Sequence, residues 1–153
     1  MPFNIVLVHP QIPNNTGNIG RLCVATQSIL HLIQPLGFEL SDKYLKRAGL
    51  DYWQHLEYHV YESFEDFLSK HGQESLSFFT KKAETSFWNH SFEEDSYLVF
   101  GREADGLPDD LLQSYQNQAL QIPLMSNKVR SLNLANAVSI ALYEAIRQRS
   151  TET

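Results

Sequence analysis

The residues of this 153-residue chain best suited to chemistry begin near its start, in HPQIPNNTGNIGRLC, His9 to Cys23. This stretch follows an apolar run, Phe3-Asn4-Ile5-Val6-Leu7-Val8. A glycine-bearing turn between a strand and a helix is a common cradle for a nucleotide phosphate. The dinucleotide fingerprint G-x-G-x-x-G is absent, since only Gly17-Asn18-Ile19-Gly20 stands here, and no G-K-[ST] follows for a P-loop. The G-x-x-G that clamps an RNA backbone in KH domains joins two helices and carries basic residues, whereas this one follows a strand and carries Asn18 and Ile19. What remains is a polar face. A helix beginning near Thr16 and running over Asn18 to Ser28 turns Ile19, Leu22, Cys23 and Thr26 inward and Gly17, Asn18 and Arg21 to another side. Arg21 then falls near the positive end of the helix, where a cation is disfavoured. Alone it reads as a surface arginine. With Asn14, Asn15 and Asn18 beside it, the set becomes convergent amides and a guanidinium, which suit a sugar–phosphate ligand.

Two further stretches bear candidate groups: LVFGREADGLP, Leu98 to Pro108, and IPLMSNKVRSLNLANAVSIALYEA, Ile122 to Ala145. Gly101 ends a strand and would admit a ligand close to the backbone. Pro108 suits a first helical position, with Asp109 and Asp110 complementing the helix dipole. Ser131 is a candidate cap for the last helix, whose core stripe is Leu134, Val138, Ala141, Leu142 and Ala145. Glu103 and Asp105 lack the surroundings of a glycosidase carboxylate pair. His55 and His59 are four apart, but Glu57 stands one place too late for a zinc-protease helix, so no metal site is expected.

The elements that must position these groups follow from hydropathy patterning. Strands are expected at about Phe3 to Val8, His31 to Gln34, Leu56 to Tyr61, Leu76 to Thr80, Tyr97 to Phe100 and Ala119 to Ile122. Further helices are expected at about Asp42 to Ala48, Phe64 to Lys70, Pro108 to Ser114 and Leu132 to Arg149. Ser63 suits the cap of the Phe64 helix. Runs such as Tyr97-Leu98-Val99-Phe100 are apolar throughout, as in strands covered on both faces. The fold class is therefore α/β, one domain over residues 1–153 with a mostly parallel sheet.

Composition narrows the function. A net charge of −6 argues against coating nucleic acid by bulk electrostatics, so any RNA contact needs a local basic patch. Candidates are Lys43, Lys46 and Arg47 on one short helix, with Lys128 and Arg130 in a later loop. Cys23 is the only cysteine, which excludes an internal disulfide and a multi-cysteine metal cluster; between Leu22 and Val24 it reads as a buried apolar residue. No apolar run approaches the roughly 20 residues of a membrane span, and the start lacks a basic leader, so the expected compartment is the cytoplasm.

The stretches NNTGNIGR (14–21), LVFGREADGLP and IPLMSNKVRSLNLANAVSIALYEA together closely resemble the three motifs of the SPOUT superfamily of S-adenosylmethionine-dependent RNA methyltransferases. The likeness runs from about Ile5 to Arg147, includes KRAGLDYW (46–53), and is greatest to the small bacterial branch that methylates the ribose 2′-hydroxyl of the tRNA wobble nucleotide, cytidine or modified uridine 34. It implies a deep C-terminal trefoil knot, which periodicity alone does not supply. It implies a cofactor pocket of Phe79, Thr80, Gly101, Glu103, Ile122, Leu124, Ser131 and Leu132, with S-adenosylhomocysteine as product and no metal. Arg21, Asn14 and Asn133 are the implied catalytic residues, with Asn136 also bordering the site. The implied partners are the anticodon region of tRNA and a second copy of the chain, the active site lying near their interface. Alternatives are a ribose in another RNA, such as ribosomal RNA, and a non-catalytic knotted RNA-binding protein. One departure is Arg102, where the family usually has proline, implying a more flexible turn with an added charge. Arg21 is regarded in the family as catalytic, sometimes as the base. A guanidinium pKa above about 12 favours positioning and alkoxide stabilisation instead.

Overall fold

The apolar runs form a six-stranded sheet in which every recorded pairing is parallel, in the order β3-β2-β1-β5-β4-β6. The structure is a computed structural model and describes residues 3–41, 43, 52–71 and 75–150. The strands are β1 (Asn4–Val8), β2 (Ile29–Ile33), β3 (Tyr58–Tyr61), β4 (Leu76–Phe79), β5 (Tyr97–Phe100) and β6 (Ala119–Leu120). Among the described residues the α-helices are α1 (Pro13–Thr26), α2 (Phe64–His71), α3 (Asp109–Ser114) and α4 (Leu134–Ser150). The expected helix at Asp42 to Ala48 lies outside the described residues, except for Lys43.

The continuous apolarity of β1 has a direct cause. Ile5 and Leu7 join a core with Ile19 and Cys23 of α1 and Val138 and Leu142 of α4. Val6 and Val8 join a second core with Phe67 of α2, Phe78 and Leu107 on the other face. A strand with successive residues on opposite faces is apolar at every position when both faces are covered. Cys23 is buried, as expected, and burial pushes its thiol up to about 12.

Helix α1 starts earlier than the sequence pattern suggests. Pro13 occupies the first turn, so Asn14, Asn15 and Thr16 are helical rather than part of a loop. Proline fits there because the first helical amides have no intrahelical acceptor to lose. Arg21 consequently lies past the middle of the helix, and the dipole objection to a cation disappears. The buried side is Asn15, Thr16, Ile19, Gly20 and Cys23, while Asn14, Asn18 and Arg21 share the exposed side. Leu22 and Thr26, expected inside, are only half-buried.

Helix α2 carries its expected cap, with the Asp66 amide donating to Ser63 Oγ at 3.0 Å and Asp66 Oδ2 accepting from the Glu62 amide at 3.2 Å. Helix α4 differs. It is capped by Asn133, not Ser131: Asn133 Oδ1 accepts from the Asn136 amide at 3.2 Å. A cap side chain bonds the amide three residues on, so a helix beginning at Leu134 selects Asn133 and frees Ser131 for the loop before it.

Between the sheet and α2 lies a buried polar chain. Asn4 Nδ2 donates to the Asp95 carbonyl at 3.1 Å, which turns Asn4 Oδ1 toward His31 Nε2, 2.9 Å away. His31 Nε2 must then carry the proton, and Nδ1 accepts from the Tyr61 hydroxyl at 2.8 Å. His71 Nε2 donates to Tyr61 at 2.6 Å, and His71 Nδ1 accepts from Tyr97 at 3.1 Å. One amide orientation thus fixes two histidine tautomers. Burial, with His71 and His59 nearby, pulls His31 down to about 3.

Candidate active site

The chain passes from β1 outward to β2 and β3, then returns to place β5, β4 and β6 on the opposite side. The strand order therefore reverses between β1 and β5, and the carboxyl ends of such strands border a crevice. Residues 9–12 leave β1 there, and residues 101–108 leave β5.

The second segment is a closed turn. Arg102 and Gly106 exchange two backbone hydrogen bonds, at 3.3 and 3.0 Å, and Gly106 takes the left-handed region at φ +72°. A side chain on Gly101 would collide with the Gly106 and Leu107 backbone, so its glycine serves the turn's own closure. This replaces the expectation that Gly101 is needed for ligand approach. The turn is also more constrained than expected at Arg102. Its amide donates to Gly106, a bond proline could not make, and its guanidinium pairs with Asp105 at 2.5 Å.

Beside this turn lies a cavity of about 340 Å³. Phe79, Thr80, Gly101, Glu103, Ile122, Leu124, Ser131 and Leu132 all line it, gathered from the ends of β4 and β5, the segment after β6 and the approach to α4. Among the lining residues that the sequence reading did not assign to the site are Lys81 and Lys82, of which Lys82 pairs with Asp109 at 3.3 Å. Their place directly after Thr80 was the available signal.

Glu103 has a second task. Its Oε1 accepts from the Gln11 amide at 3.0 Å and its Oε2 from the Ile12 amide at 2.9 Å. A carboxylate thus satisfies amides at the positive start of α1. Asn15 Nδ2 also donates to Glu103 Oε2 at 3.3 Å, and Asn133 Nδ2 donates to Asn15 Oδ1 at 3.2 Å. One line of bonds therefore joins the turn after β5, the start of α1 and the cap of α4. Asn15, expected among the amides beside Arg21, is instead the buried centre of this line; recognising Pro13 as the first helical residue would have placed Asn15 inward.

None of Arg21, Asn14 and Asn133 lines the cavity. Asn133 stands at the cap of α4, while Asn14 and Arg21 lie on the exposed side of α1, outside the cavity lining. The Arg21 guanidinium stacks over the Tyr52 ring, 4.9 Å from its centroid. Lys128 and Arg130 are exposed in the loop between Leu124 and Ser131, close in sequence to the cavity wall. Lys43 is exposed and helical; Lys46 and Arg47 lie outside the described residues.

A ligand-sized cavity at the carboxyl ends of the parallel strands β4 and β5, walled by two of the three motif stretches, defines a small-molecule site of the kind open α/β sheets carry. The model of the SpoU rRNA Methylase family matches residues 2–143, and the chain belongs to that family. A protein of Synechocystis sp. named putative tRNA (cytidine(34)-2′-O)-methyltransferase is 49% identical over 146 residues, covering 94% of this chain and 95% of the relative. A Bacillus subtilis protein of the same name is 47% identical over 151 residues, covering 97% and 94%. A solved structure concerning 2′-hydroxyl methylation of C/U34 on tRNA superposes with a TM-score of 0.93 at 44% identity, covering 97% of each chain. The methyltransferase AviRb of Streptomyces viridochromogenes, solved with AdoMet, shares the fold at a TM-score of 0.82 and 23% identity, over 97% of this chain and 58% of that one.

Proposed function

We propose that this chain transfers a methyl group from S-adenosylmethionine to the ribose 2′-hydroxyl of the tRNA wobble nucleotide. The observation that carries the reading is the gathering of all eight residues of the motif-implied cofactor site around one cavity. The full-length relatives named for this reaction support it.

The cavity fits the cofactor. Its volume lies in the range of about 300 to 1,000 Å³ typical of small-molecule sites. Phe79, Leu124 and Leu132 offer apolar walls for a purine, and Thr80 and Ser131 offer hydroxyls for its polar edges. When bound, the cofactor supplies an activated methyl on a sulfonium, so no metal or covalent enzyme intermediate is required. The protein's share is alignment and stabilisation of the developing alkoxide. Arg21 serves as the electrostatic and positioning group, Asn14 and Asn133 as amide partners around the acceptor sugar, and Lys128 and Arg130 as phosphate contacts beside the cavity.

Arg21 and Asn14 lie outside their own chain's cavity, which supports a homodimer in which each site is completed by its partner. Ile140 and Tyr143, three apart and exposed on α4, suit such an interface. A trefoil knot is supported by the bonds around residues 119–133. Gln121 is bonded to Thr85 and Phe87 on one side of the β4–β5 connection, and Gln148 of α4 holds His90 and Phe92 of that same connection. The chain acts as one cytoplasmic domain. A ribosomal RNA ribose is the second reading, favoured by the description of the matching family model.

Arg21→Ala tests the assignment. The expected result is loss of turnover with cofactor affinity by calorimetry unchanged; an equal loss of affinity would contradict it.

A further inference from the structure

We infer that Tyr52 is a positioning residue for methyl transfer, its ring holding the Arg21 guanidinium in the orientation the reaction needs. The inference rests on the reading of Arg21 above. Among the described residues, the exposed Arg21 side chain makes no ion pair or hydrogen bond, and its one recorded contact is the Tyr52 ring face at 4.9 Å. A ring offers the cation its electron-rich face and no lone pair for a conventional hydrogen bond, so the five N–H donors remain available for ribose and phosphate oxygens. A carboxylate partner would instead consume those donors and cancel the charge.

The stack is built by neighbouring residues. Trp53 lies against the helix position just before Arg21: a Cβ on Gly20 would come within 3.0 Å of Trp53 Cζ3 and 3.2 Å of Leu56 Cδ2. Trp53 in turn packs on Tyr58 of β3, with ring centroids 5.1 Å apart. The Tyr52 carbonyl accepts from the His55 amide at 2.9 Å, starting a 3-10 turn over Trp53–His55. Gly20 facing Trp53 therefore sets the spacing at which Arg21 meets Tyr52. An arginine loses side-chain freedom when fixed, and prior ordering removes part of that cost from the reaction.

The test is a double-mutant cycle read in single turnover, with saturating cofactor and tRNA. Tyr52→Leu and Tyr52→Met, two non-aromatic variants so that the comparison survives misfolding of one, should lower the rate about threefold to tenfold with cofactor KM unchanged. Tyr52→Phe, which keeps the ring, should restore most of that rate. In an Arg21→Ala background, Tyr52→Leu should add less than about twofold. A full-sized loss in that background, or Phe as damaging as Leu, would overturn the positioning role. Arg21→Ala with undiminished turnover would instead overturn the reading of Arg21 itself.

Discussion

At the scale of single residues, the charged groups divide by how they are satisfied. Glu103 is committed to two backbone amides and Asn15, while Arg21 keeps its donors open above a ring. Charge-assisted hydrogen bonds are worth about 1.5 to 3 kcal/mol each, so Glu103→Ala should cost on the order of 2 kcal/mol in urea unfolding, and Glu103→Gln less. Equal stability of the Ala variant would contradict the clamp. Thr16 offers the opposite case. Its hydroxyl is fully buried and has no hydrogen-bond partner among the described residues. An unpaired buried hydroxyl costs about 1 to 3 kcal/mol, so Thr16→Val, nearly equal in shape, should raise stability by about 1 kcal/mol. The residues of the three motif stretches were legible in the sequence by type and order. The direction of Asn15 was not, because it falls one turn before Ile19 on the inward face only when α1 includes it, and α1 begins at Pro13, three residues before the expected start.

At the scale of elements, the sheet was readable and the helix starts were not. Each expected strand exists, since an apolar run buried on both faces leaves a strong local signal. Helix starts turn on one or two residues: Pro13 opens α1 three residues before the expected start, and Asn133 replaces Ser131 as the cap of α4. The join between β2, β3 and α2 carries a pH dependence. His31 stays neutral in the fold down to about pH 3, whereas in the unfolded chain it protonates near 6.5. Between those values the unfolded state binds the extra proton, so stability rises with pH through this window and levels off above it. The slope from this one group is about 1.4 kcal/mol per pH unit. From pH 6.5 to 5, the native protein should therefore lose about 2 kcal/mol more than His31→Gln. Parallel loss in the two proteins would show that His31 titrates normally in the fold.

At the scale of the whole molecule, methylation of tRNA would require an acidic chain to bind an acidic polymer, and several of its described cations stand at or next in sequence to the cavity wall. Lys81, Lys82 and Arg102 line it, and Lys128 and Arg130 stand in the adjoining loop. Lys82 and Arg102 pair with Asp109 and Asp105, whereas Lys81, Lys128 and Arg130 have no carboxylate partner among the described residues and are the phosphate contacts we propose. Neutralising Lys128 and Arg130 together should flatten the slope of log tRNA affinity against log salt by about one to two units. An unchanged slope would remove the pair from the interface. A C-terminal knot would leave no local pattern in composition or period; only the likeness of three ordered motifs implies one. The central claim is the acceptor atom. Total tRNA incubated with this protein and S-adenosylmethionine labelled on its methyl group, then digested and mapped by nucleoside, should carry label as 2′-O-methyl on nucleotide 34. A folded, cofactor-binding protein that leaves that ribose unlabelled would contradict the account.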